Sequence, residues 1–425
     1  MPLLTRKSLI LAKVETTEGT DALPTQANDA ILVSEPNFEI DPNILERNNT
    51  KATLSPDSVV VGRKLASFSA TVELKGNGSQ NSGNVNDRPQ IGTLLRGCGY
   101  VESGISSGNT NQISDIVSHA DNSSSAPKVS WTKSGSPSLT LPVVYTLEVT
   151  TGGASGTAQV AVSSSNSEDT DVAATAVTSG STALALGTKG GTITPTWSGS
   201  LVVGTKYQVL VVPSGIKYAP TSEDTQQDSL TIYYYKDGTL YKILGARGTF
   251  TINAEAGNYG TVEFTYTGQY VAVTDVALPT APVYETTLPG QVEQAGLVLD
   301  LAEECQLVAG TYTFDQANEI TPRPDICGTD GYRGVRITAR TPVGTLDPEA
   351  TLEADFDFWQ KMSSGKTMFY SVKQGTQAGN IFILEAPRIQ FSNISHGDRD
   401  GILVYESDLR FTVNNGDDEV KFYFC

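Results

Sequence analysis

Histidine, cysteine and charge are all scarce in this sequence, and each shortage narrows the kind of protein that it can encode. The two histidines, His119 and His396, are too few for an HExxH motif or a histidine-rich metal cage. The four cysteines show neither CxxC spacing nor the spacing of metal ligands. We interpret them as buried or idle thiols of a reducing compartment, with a pairing of Cys305 and Cys327 left open.

Long apolar runs and helical periodicity are also scarce. The apolar run Leu9–Ala12 is interrupted by Lys13 and Glu15, and the chain has no apolar segment of about 18 residues. We therefore expect neither a secretory signal nor a membrane span, and a soluble intracellular product. Gly, Ser and Thr are abundant and strand-forming residues alternate with polar ones, which is typical of a mainly β protein. The 425 residues are enough for two or three domains.

The chain is acidic, with 47 acidic residues against 29 basic ones and a net charge of −18. A surface of this charge repels polyphosphate, which argues against binding of DNA by counterion release. It is compatible with a role in which DNA passes without binding.

Motifs of catalysis, cofactor binding and metal binding are not found. Gly365-Lys366-Thr367 resembles the end of a phosphate loop, but Gln360 replaces the required first glycine and the motif closes a helix. The acidic stretch His396–Gly401 is better explained as a hairpin turn than as a calcium loop. No serine lies in the strand-to-helix elbow in which a GxSxG motif presents its nucleophile. We predict no catalytic residue, no cofactor and no metal.

An internal repeat is the most informative pattern in the chain. Gly238–Phe250 aligns without a gap on Gly379–Phe391, with Arg247 on Arg388. At the same offset Gly260 falls on Gly401. The matches keep glycines at turns and apolar residues at alternate positions, as two copies of one β-hairpin require. The repeat indicates a duplicated β unit.

Each half of the chain also carries a helix signal. In the first half Asp87 can cap a helix, Pro89 fits its first turn, and Ile91, Leu94, Leu95 and Cys98 follow the helical period. In the second half, a strand through Val335, Ile337 and Ala339 is followed by Asp347-Pro348-Glu349. We expect these three residues to open a helix that carries Leu352, Phe356 and Trp359.

The order of these signals predicts five segments. Between the helix and the hairpin of the first half lies a stretch rich in Ser, Thr, Gly and Val, with strand-like runs such as Val143–Thr150, Thr157–Ser163, Thr192–Trp197 and Tyr207–Val212. Short strands with turns between them indicate an inserted immunoglobulin-like β-sandwich. We predict the following segments: an N-terminal arm (1–37), a first unit (38–112 and 218–276), the insert (113–217), a linker (277–290) and a second unit (291–425).

Four stretches resemble one known family. The run Ser229–Tyr270, together with Glu15–Val33, Val59–Gly78 and Arg88–Tyr100, is similar to the tail tube proteins of long-tailed, siphovirus-type bacteriophages. The resemblance implies a mainly β fold: two tandem tail-tube β-sandwich or barrel units, each with one flanking α-helix, plus the inserted Ig-like β-sandwich. It also implies a structural virion protein that self-assembles into stacked rings, the conduit for genome ejection.

The resemblance carries further expectations. Many members of the family have one unit and form six-fold rings, so three copies of a two-unit chain would form a homotrimeric ring with approximate six-fold symmetry. The expected partners are other copies, the tape measure protein, the tail terminator, distal tail or baseplate proteins, and viral DNA that passes without specific binding, with no membrane involved. The expected location is the virion tail, after assembly in the host cytoplasm.

Five basic residues are candidates for contacts between subunits: Arg47, Lys51, Arg63, Arg247 and Arg388. For the last two, the alternative is an arginine that snorkels at a sheet edge.

Two other functions remain open. The insert alone would also fit a carbohydrate-binding or adhesion module of a phage or bacterial surface protein. Such a module displays exposed aromatic side chains, and the insert offers Trp131, Trp197 and a few tyrosines. A β-rich hydrolase that uses scattered carboxylates has the least support.

Overall fold

The computed structural model describes residues 7–79, 88–119, 121–293, 295–328 and 331–425. These residues form a mainly β fold, as predicted, with two α-helices in the described part of the chain. The predicted helix cap Asp87 lies outside the described residues.

The strands and helices follow one another in three groups. The first group is β1 (Ser8–Val14), β2 (Ala30–Ile31), β3 (Ser34–Leu45), β4 (Val60–Glu73), α1 (Gln90–Gly97) and β5 (Tyr100–Ile105). The second is β6 (Val117–Ser118), β7 (Ser130–Ser134), β8 (Val143–Thr151), β9 (Gln159–Ser164), β10 (Val172–Ala176), β11 (Leu184–Ala185), β12 (Thr192–Thr196) and β13 (Lys206–Val211). The third is β14 (Gly215–Pro220), β15 (Leu230–Lys236), β16 (Thr239–Glu255), β17 (Thr261–Asp275), β18 (Gly296–Leu299), β19 (Ala309–Asp315), β20 (Asn318–Pro324), β21 (Tyr332–Arg340), β22 (Val343–Pro348), α2 (Phe358–Ser363), β23 (Met368–Gln374), β24 (Phe382–Arg399), β25 (Ile402–Phe411) and β26 (Lys421–Phe424).

The main sheet contains two series of six antiparallel strands with the same order of pairing. The first series runs β1, β15, β16, β17, β4, β3. The second series runs β18, β23, β24, β25, β22, β19. In both series the α-helix follows the fifth strand along the chain. A long hairpin, β16–β17 or β24–β25, supplies the third and fourth strands. The second series also carries an extra two-stranded sheet, β20 with β21.

Two ladders join the series into one sheet. β19, the last strand of the second series, pairs with Thr251–Glu255 at the end of β16. We call this pairing the internal seam. The C-terminal strand β26 pairs with β24 on one side and with β14 on the other, and β14 in turn pairs with β5.

The two series share one hydrophobic core. Its centre is Phe250 of β16, whose ring lies 5.7 Å from Tyr100, 5.9 Å from Phe314 and 5.8 Å from Phe422. These partners belong to β5, β19 and β26, so one aromatic cluster holds elements of both series together. Aromatic pairs at this spacing contribute about 1 kcal/mol each beyond the area that they bury.

The inserted segment forms a body of its own. β10, β9, β8, β13 and β6 make one sheet, and β11, β12 and β7 make another. A separate apolar cluster, centred on Tyr145, Val160 and Val209, lies among these strands. The four strand-like runs of the sequence correspond to β8, β9, β12 and β13. β14, however, begins before residue 217 and belongs to the main sheet, so the predicted boundary falls within a strand.

The first helix forms where its pattern predicts, and the second does not. α1 starts after Pro89 and ends before Gly99, whose φ is +84°. Asp347 and Pro348 end β22 instead of opening a helix, because that strand is held between β19 and β25. α2 begins only at Phe358, where the Asp357 side chain accepts a hydrogen bond of 2.8 Å from the Gln360 N–H.

The N-terminal segment is part of the core, so the prediction of an arm does not hold for its described strands. β1 pairs along its whole length with β15, and Leu9, Ile10 and Leu11 are buried. The Glu15 carboxylate accepts four hydrogen bonds of 2.7–2.8 Å, from the Gly19 and Gly245 N–H groups and from the hydroxyls of Ser229 and Thr231.

Other expectations have simpler outcomes. Cys305 and Cys327 are both exposed free thiols, so they do not pair. Residues 277–290, the predicted linker, contain neither a strand nor a helix. Neither helix of the described residues has the length or the apolar run needed to cross a bilayer.

Candidate assembly surfaces

The hairpin of β3 and β4 carries the largest concentration of exposed apolar side chains. Beyond Leu65, β4 has no strand partner other than β3 among the described residues, so the distal half of the hairpin extends past β17. This distal half and its connecting loop expose six large apolar side chains: Ile44, Leu45, Leu54, Val59, Val60 and Val61. Ile40 lies exposed just before them. An apolar patch of this kind indicates a contact surface for another macromolecule.

Three of the five candidate basic residues lie on this hairpin. Arg47 is exposed, and the structure gives its side chain no partner within the described ranges. Lys51 forms an ion pair with Asp57 across the hairpin loop. The Arg63 guanidinium lies 5.0 Å from the centre of the Tyr332 ring, in a cation–π contact. Arg47, Lys51 and Arg63 therefore all lie on the hairpin that carries the apolar patch.

Arg247 is a different case, and its prediction as a contact between subunits is wrong. The side chain is 2% exposed. It donates hydrogen bonds of 2.6 Å to the Val335 carbonyl and 3.1 Å to the Gln227 carbonyl, and it lies 3.0 Å from the Glu18 carboxylate. Arg247 thus ties β16 to β21 and to the N-terminal segment of its own chain.

Arg388 is half-buried and bonded to neutral groups. Its guanidinium donates 2.8 Å to the Asn414 side chain and 2.7 Å to the Thr367 hydroxyl. Both partners belong to the same chain, so the structure gives Arg388 an internal role as well.

The structural counterpart of Arg247 is Gln390, although the sequence repeat aligns Arg247 with Arg388. Gln390 donates 2.6 Å to the Gly365 carbonyl, just before β23. Arg247 bonds the Gln227 carbonyl just before β15 in the same way. The sequence repeat misaligns the two arginines because the turns that precede β16 and β24 differ in length.

A partly buried charge cluster lies between the insert and the second series. The Lys361 ammonium of α2 lies 2.8 Å from Asp300 and 2.9 Å from Asp121. Lys366 forms a second ion pair with Asp121. His119 lies 2.6 Å from the Asp300 carbonyl and 3.3 Å from its carboxylate. The cluster connects β6 and its following loop to α2 of the second series.

The charges of this cluster compensate one another. Burial opposes ionisation of Asp121, but hydrogen bonds from Lys366 and Lys361 outweigh it and lower its pKa to about 2. Burial raises the pKa of Asp300, and His119 and Lys361 oppose that rise. Burial also disfavours the charged form of Lys361, yet attraction to Asp300 and Asp121 raises its pKa.

The same cluster contains three residues whose side chains can bind a metal ion. Ligand atoms of His119, Asp121 and Asp300 lie within 4.8 Å of one another. The Lys361 ammonium, however, already lies between the two carboxylates, and Lys366 supplies the second compensating charge at Asp121. A divalent cation would have to displace this ammonium, so the donors fit an ion pair better than a metal ion.

The tryptophans of the insert form no sugar-binding platform. Trp197 is 8% exposed and belongs to the core of the insert. Trp131 is half-buried, and its ring packs edge-on at 5.1 Å against buried Tyr207.

Sequence reasoning missed the apolar hairpin and the charge cluster. The stretch Asn48–Gly62 reads as a polar loop, although Leu54 and Val59–Val61 were visible signals of an apolar tip. The cluster joins residues from distant parts of the chain, and no local spacing could have revealed it.

Comparison with known proteins gives one family. The model of a phage tail tube protein family matches residues 147–416, well over half of the chain. The match begins inside the insert and extends through the second series almost to β26. No curated protein matches the chain significantly.

Proposed function

Because the chain belongs to the phage tail tube protein family, we propose that it is the self-assembling subunit of the tail tube of a siphovirus-type phage. Copies associate into rings, and the rings stack into a conduit through which the genome leaves the virion. The subunit is structural and carries out no catalysis. Its place is the virion tail, after assembly in the host cytoplasm.

The strongest support for this proposal is that the strands of the two series pair in the same order. Six strands pair in the same sequence in both series, and each series has one helix at the same point of the chain. A duplicated tube unit would produce this arrangement. A ring of six units then closes with three chains, and it has true three-fold and approximate six-fold symmetry.

The charge of the chain suits a conduit. With a net charge of −18, a wall of this protein repels duplex DNA and lets it slide without binding. The tape measure protein inside the tube, the tail terminator at one end and the distal tail or baseplate proteins at the other are the partners that such a tube requires.

The insert is proposed to be an Ig-like decoration. It has its own two sheets and its own apolar cluster, and it occurs in only one of the two series. Each ring of three chains would therefore carry three inserts.

Assembly through the β3–β4 hairpin tests the proposal. The Ile44→Asp, Leu54→Asp double variant places charge on two exposed apolar side chains, so the subunit should fold normally. Rings or tubes formed by the unmodified protein should disappear in negative-stain images of this variant. Val203→Asp is the matched control, because Val203 is 62% exposed on the insert, away from the hairpin; this variant should assemble normally.

Isolated particles of the unmodified protein at every concentration would contradict the proposal and would favour the adhesion module instead.

A further inference from the structure

The internal seam shows how one series accepts a strand from another. β15 covers one edge of β16 only as far as the pair of Leu230 with Ala246. Beyond that point the same edge is open to the second series, and β19 fills it, with Ile252 opposite Phe314. The other edge of β16 pairs with β17 along most of its length. The end of β16 is therefore an acceptor edge, and β19 is the strand that it accepts.

A shared irregularity aligns β16 with β24. In the first series one residue, Thr231, lies opposite two, Leu244 and Gly245. In the second series one residue, Phe369, lies opposite two, Pro387 and Arg388. The matching carbonyl contacts of Arg247 and Gln390 give the same alignment. When this alignment is extended through the pairing of β16 with β17 and of β24 with β25, His396 becomes the structural counterpart of Ile252.

The acceptor edge of β24 is open. Residues 393–399 of β24 pair with β25 on one side, and no strand of the described chain pairs with them on the other. At this edge the His396 ring lies 5.4 Å from the ring of Trp359, which is 41% exposed.

The strand that would fill this edge is also unpaired on one side. β3 ends the first series as β19 ends the second, and β3 pairs in the described residues with β4 alone. The same alignment can be extended from β17 to β4 and β3, and from β25 to β22 and β19. Phe38 of β3 then becomes the structural counterpart of Phe314 in β19. Within one chain, then, the acceptor edge of β24 and the free edge of β3 are the two halves of a second seam.

We propose that β3 of one copy pairs antiparallel with residues 395–399 of β24 in the next copy, which repeats between chains the internal seam of each chain. The partner is thus a second copy of this chain, and this inference rests on the proposed function. Transferring the internal seam predicts the register: Phe38 lies opposite His396, and Glu39 lies opposite Ser395. Phe38 then covers the aromatic pair of His396 and Trp359, as cross-strand aromatic residues do.

The prolines of β3 agree with this geometry. In the internal seam the backbone bonds from Gln316 to Phe250 and from Ala256 to Gly310 show that even-numbered residues of β19 point toward β16. Their counterparts in β3 are also even-numbered, and these include Pro36, Ile40 and Pro42. A proline is tolerated where its missing N–H would point away from the partner strand β4. The two prolines donate no bond in the proposed seam, so Phe38 and Ile40 between them supply the N–H groups on the β3 side of it.

Disulfide cross-linking tests the register. Cys305 and Cys327 are first replaced by serine, because their exposed thiols would interfere. Glu39→Cys and Ser395→Cys then place two exposed side chains opposite each other, within the Cα separation that a disulfide spans. Mild oxidation of assembled protein should give covalent dimers and a closed trimer on a non-reducing gel. The control pair Glu39→Cys with Asn393→Cys is two residues out of register, about 7 Å along the strand, and should not cross-link.

Proline substitution tests the backbone bonds. The Ile40 N–H is predicted to donate to the Ile394 carbonyl of the next copy, so Ile40→Pro should leave the subunit folded and raise the concentration needed for assembly about tenfold. Glu39→Pro is the matched control. Its N–H points toward β4, so this variant should lower the stability of the isolated subunit.

The outcomes separate the two proposals. Tubes that form without the 39–395 cross-link, or with an equally strong 39–393 cross-link, overturn the seam and leave the proposed function intact. A chain that stays monomeric at every concentration overturns both.

Discussion

Arg247 has the largest fully buried side chain of the described residues, and it is charged. Its guanidinium is held by two carbonyls and by the Glu18 carboxylate, which come from three separate segments of the chain. A buried charge of this kind is tolerated only when its partners are fixed in place. Arg247 therefore acts on the stability of the subunit and has no free surface to offer a neighbour.

Arg247→Met should lower the free energy of unfolding of the isolated subunit by about 3 kcal/mol, because two buried carbonyls lose their donor and Glu18 keeps only its ion pair with Arg336. Arg388→Met is the matched control. Arg388 is half-buried and bonds neutral groups, so its loss should cost about 1 kcal/mol. Urea denaturation of both variants measures the difference. A fully stable Arg247→Met subunit that no longer assembles would restore its role in an interface.

Glu285 gives the subunit a pH dependence. Its carboxylate comes from the linker and accepts a hydrogen bond of 3.2 Å from the Gln90 N–H, at the start of α1. Burial raises its pKa to about 7, against smaller opposing effects of the Gln90 N–H and Lys75. Because the folded state favours the protonated carboxyl group, the contribution of Glu285 to the free energy of unfolding is fully present at acidic pH. It is lost as the pH rises toward 7.

Glu285→Gln should remove this loss of stability with rising pH. Between pH 5 and pH 8 the unmodified subunit should lose about 1 kcal/mol more stability than the variant, a value reduced for the partial exposure of the carboxyl group. Denaturation curves at both pH values provide the comparison. Parallel pH profiles of the two proteins would show that Glu285 titrates normally.

Among the elements, local patterns predicted those whose partners are near in the sequence. α1 and the insert strands formed as expected, because their periods match the local burial. β1 was interpreted as an arm since its partner, β15, lies more than 200 residues away. The Asp347-Pro348 pair resembles a helix start, but two neighbouring strands hold it in an extended form. Tertiary pairing overrides local propensity at these positions.

The candidate site was predictable only in part, for the same reason. The composition of the hairpin marks Arg47, Lys51 and Arg63 as surface residues, and all three are exposed on it. The burial of Arg247 depends on Glu18 and Val335, which no local pattern connects to it. The structural equivalence of Arg247 and Gln390 likewise becomes visible only from the strand pairing, because the turns before β16 and β24 differ in length.

The insert is attached more firmly than a surface decoration needs to be. Val144 and Leu210 of the insert belong to one apolar cluster with Phe369, Ile383 and Tyr423 of the main sheet. The separate apolar cluster of the insert, taken alone, would lead us to expect that a chain without residues 115–216 remains soluble.

The shared cluster leads to the opposite prediction. Deletion of residues 115–216 should expose Phe369, Ile383 and Tyr423 and yield aggregated protein, since burying each large apolar side chain is worth about 2 kcal/mol. The soluble fraction after expression measures the effect. A second deletion with Phe369→Ser and Ile383→Ser removes part of the exposed patch and should recover solubility. Equal solubility of the simple deletion and the full chain would mean that the shared cluster contributes little.

At the scale of the whole molecule, the acidic charge should govern how the tube treats DNA. Assembled tubes should show no measurable binding of linear duplex DNA at low salt, because an acidic wall offers no counterion release. Filter binding over a range of salt concentrations tests this. An affinity that falls steeply as salt increases would reveal a basic lumen and contradict the expected negative inner surface.

The central claim is that one chain supplies two successive positions of a six-unit ring. The internal seam already joins two series within a chain, and the proposed seam between β3 and β24 would join the chains. The measurement that tests this most directly is the rotational symmetry of one ring in a cryo-electron microscopy reconstruction of the assembled tube. The account predicts three chains and three insert densities around each ring, with the six β units related only approximately. Six insert densities around each ring would contradict it.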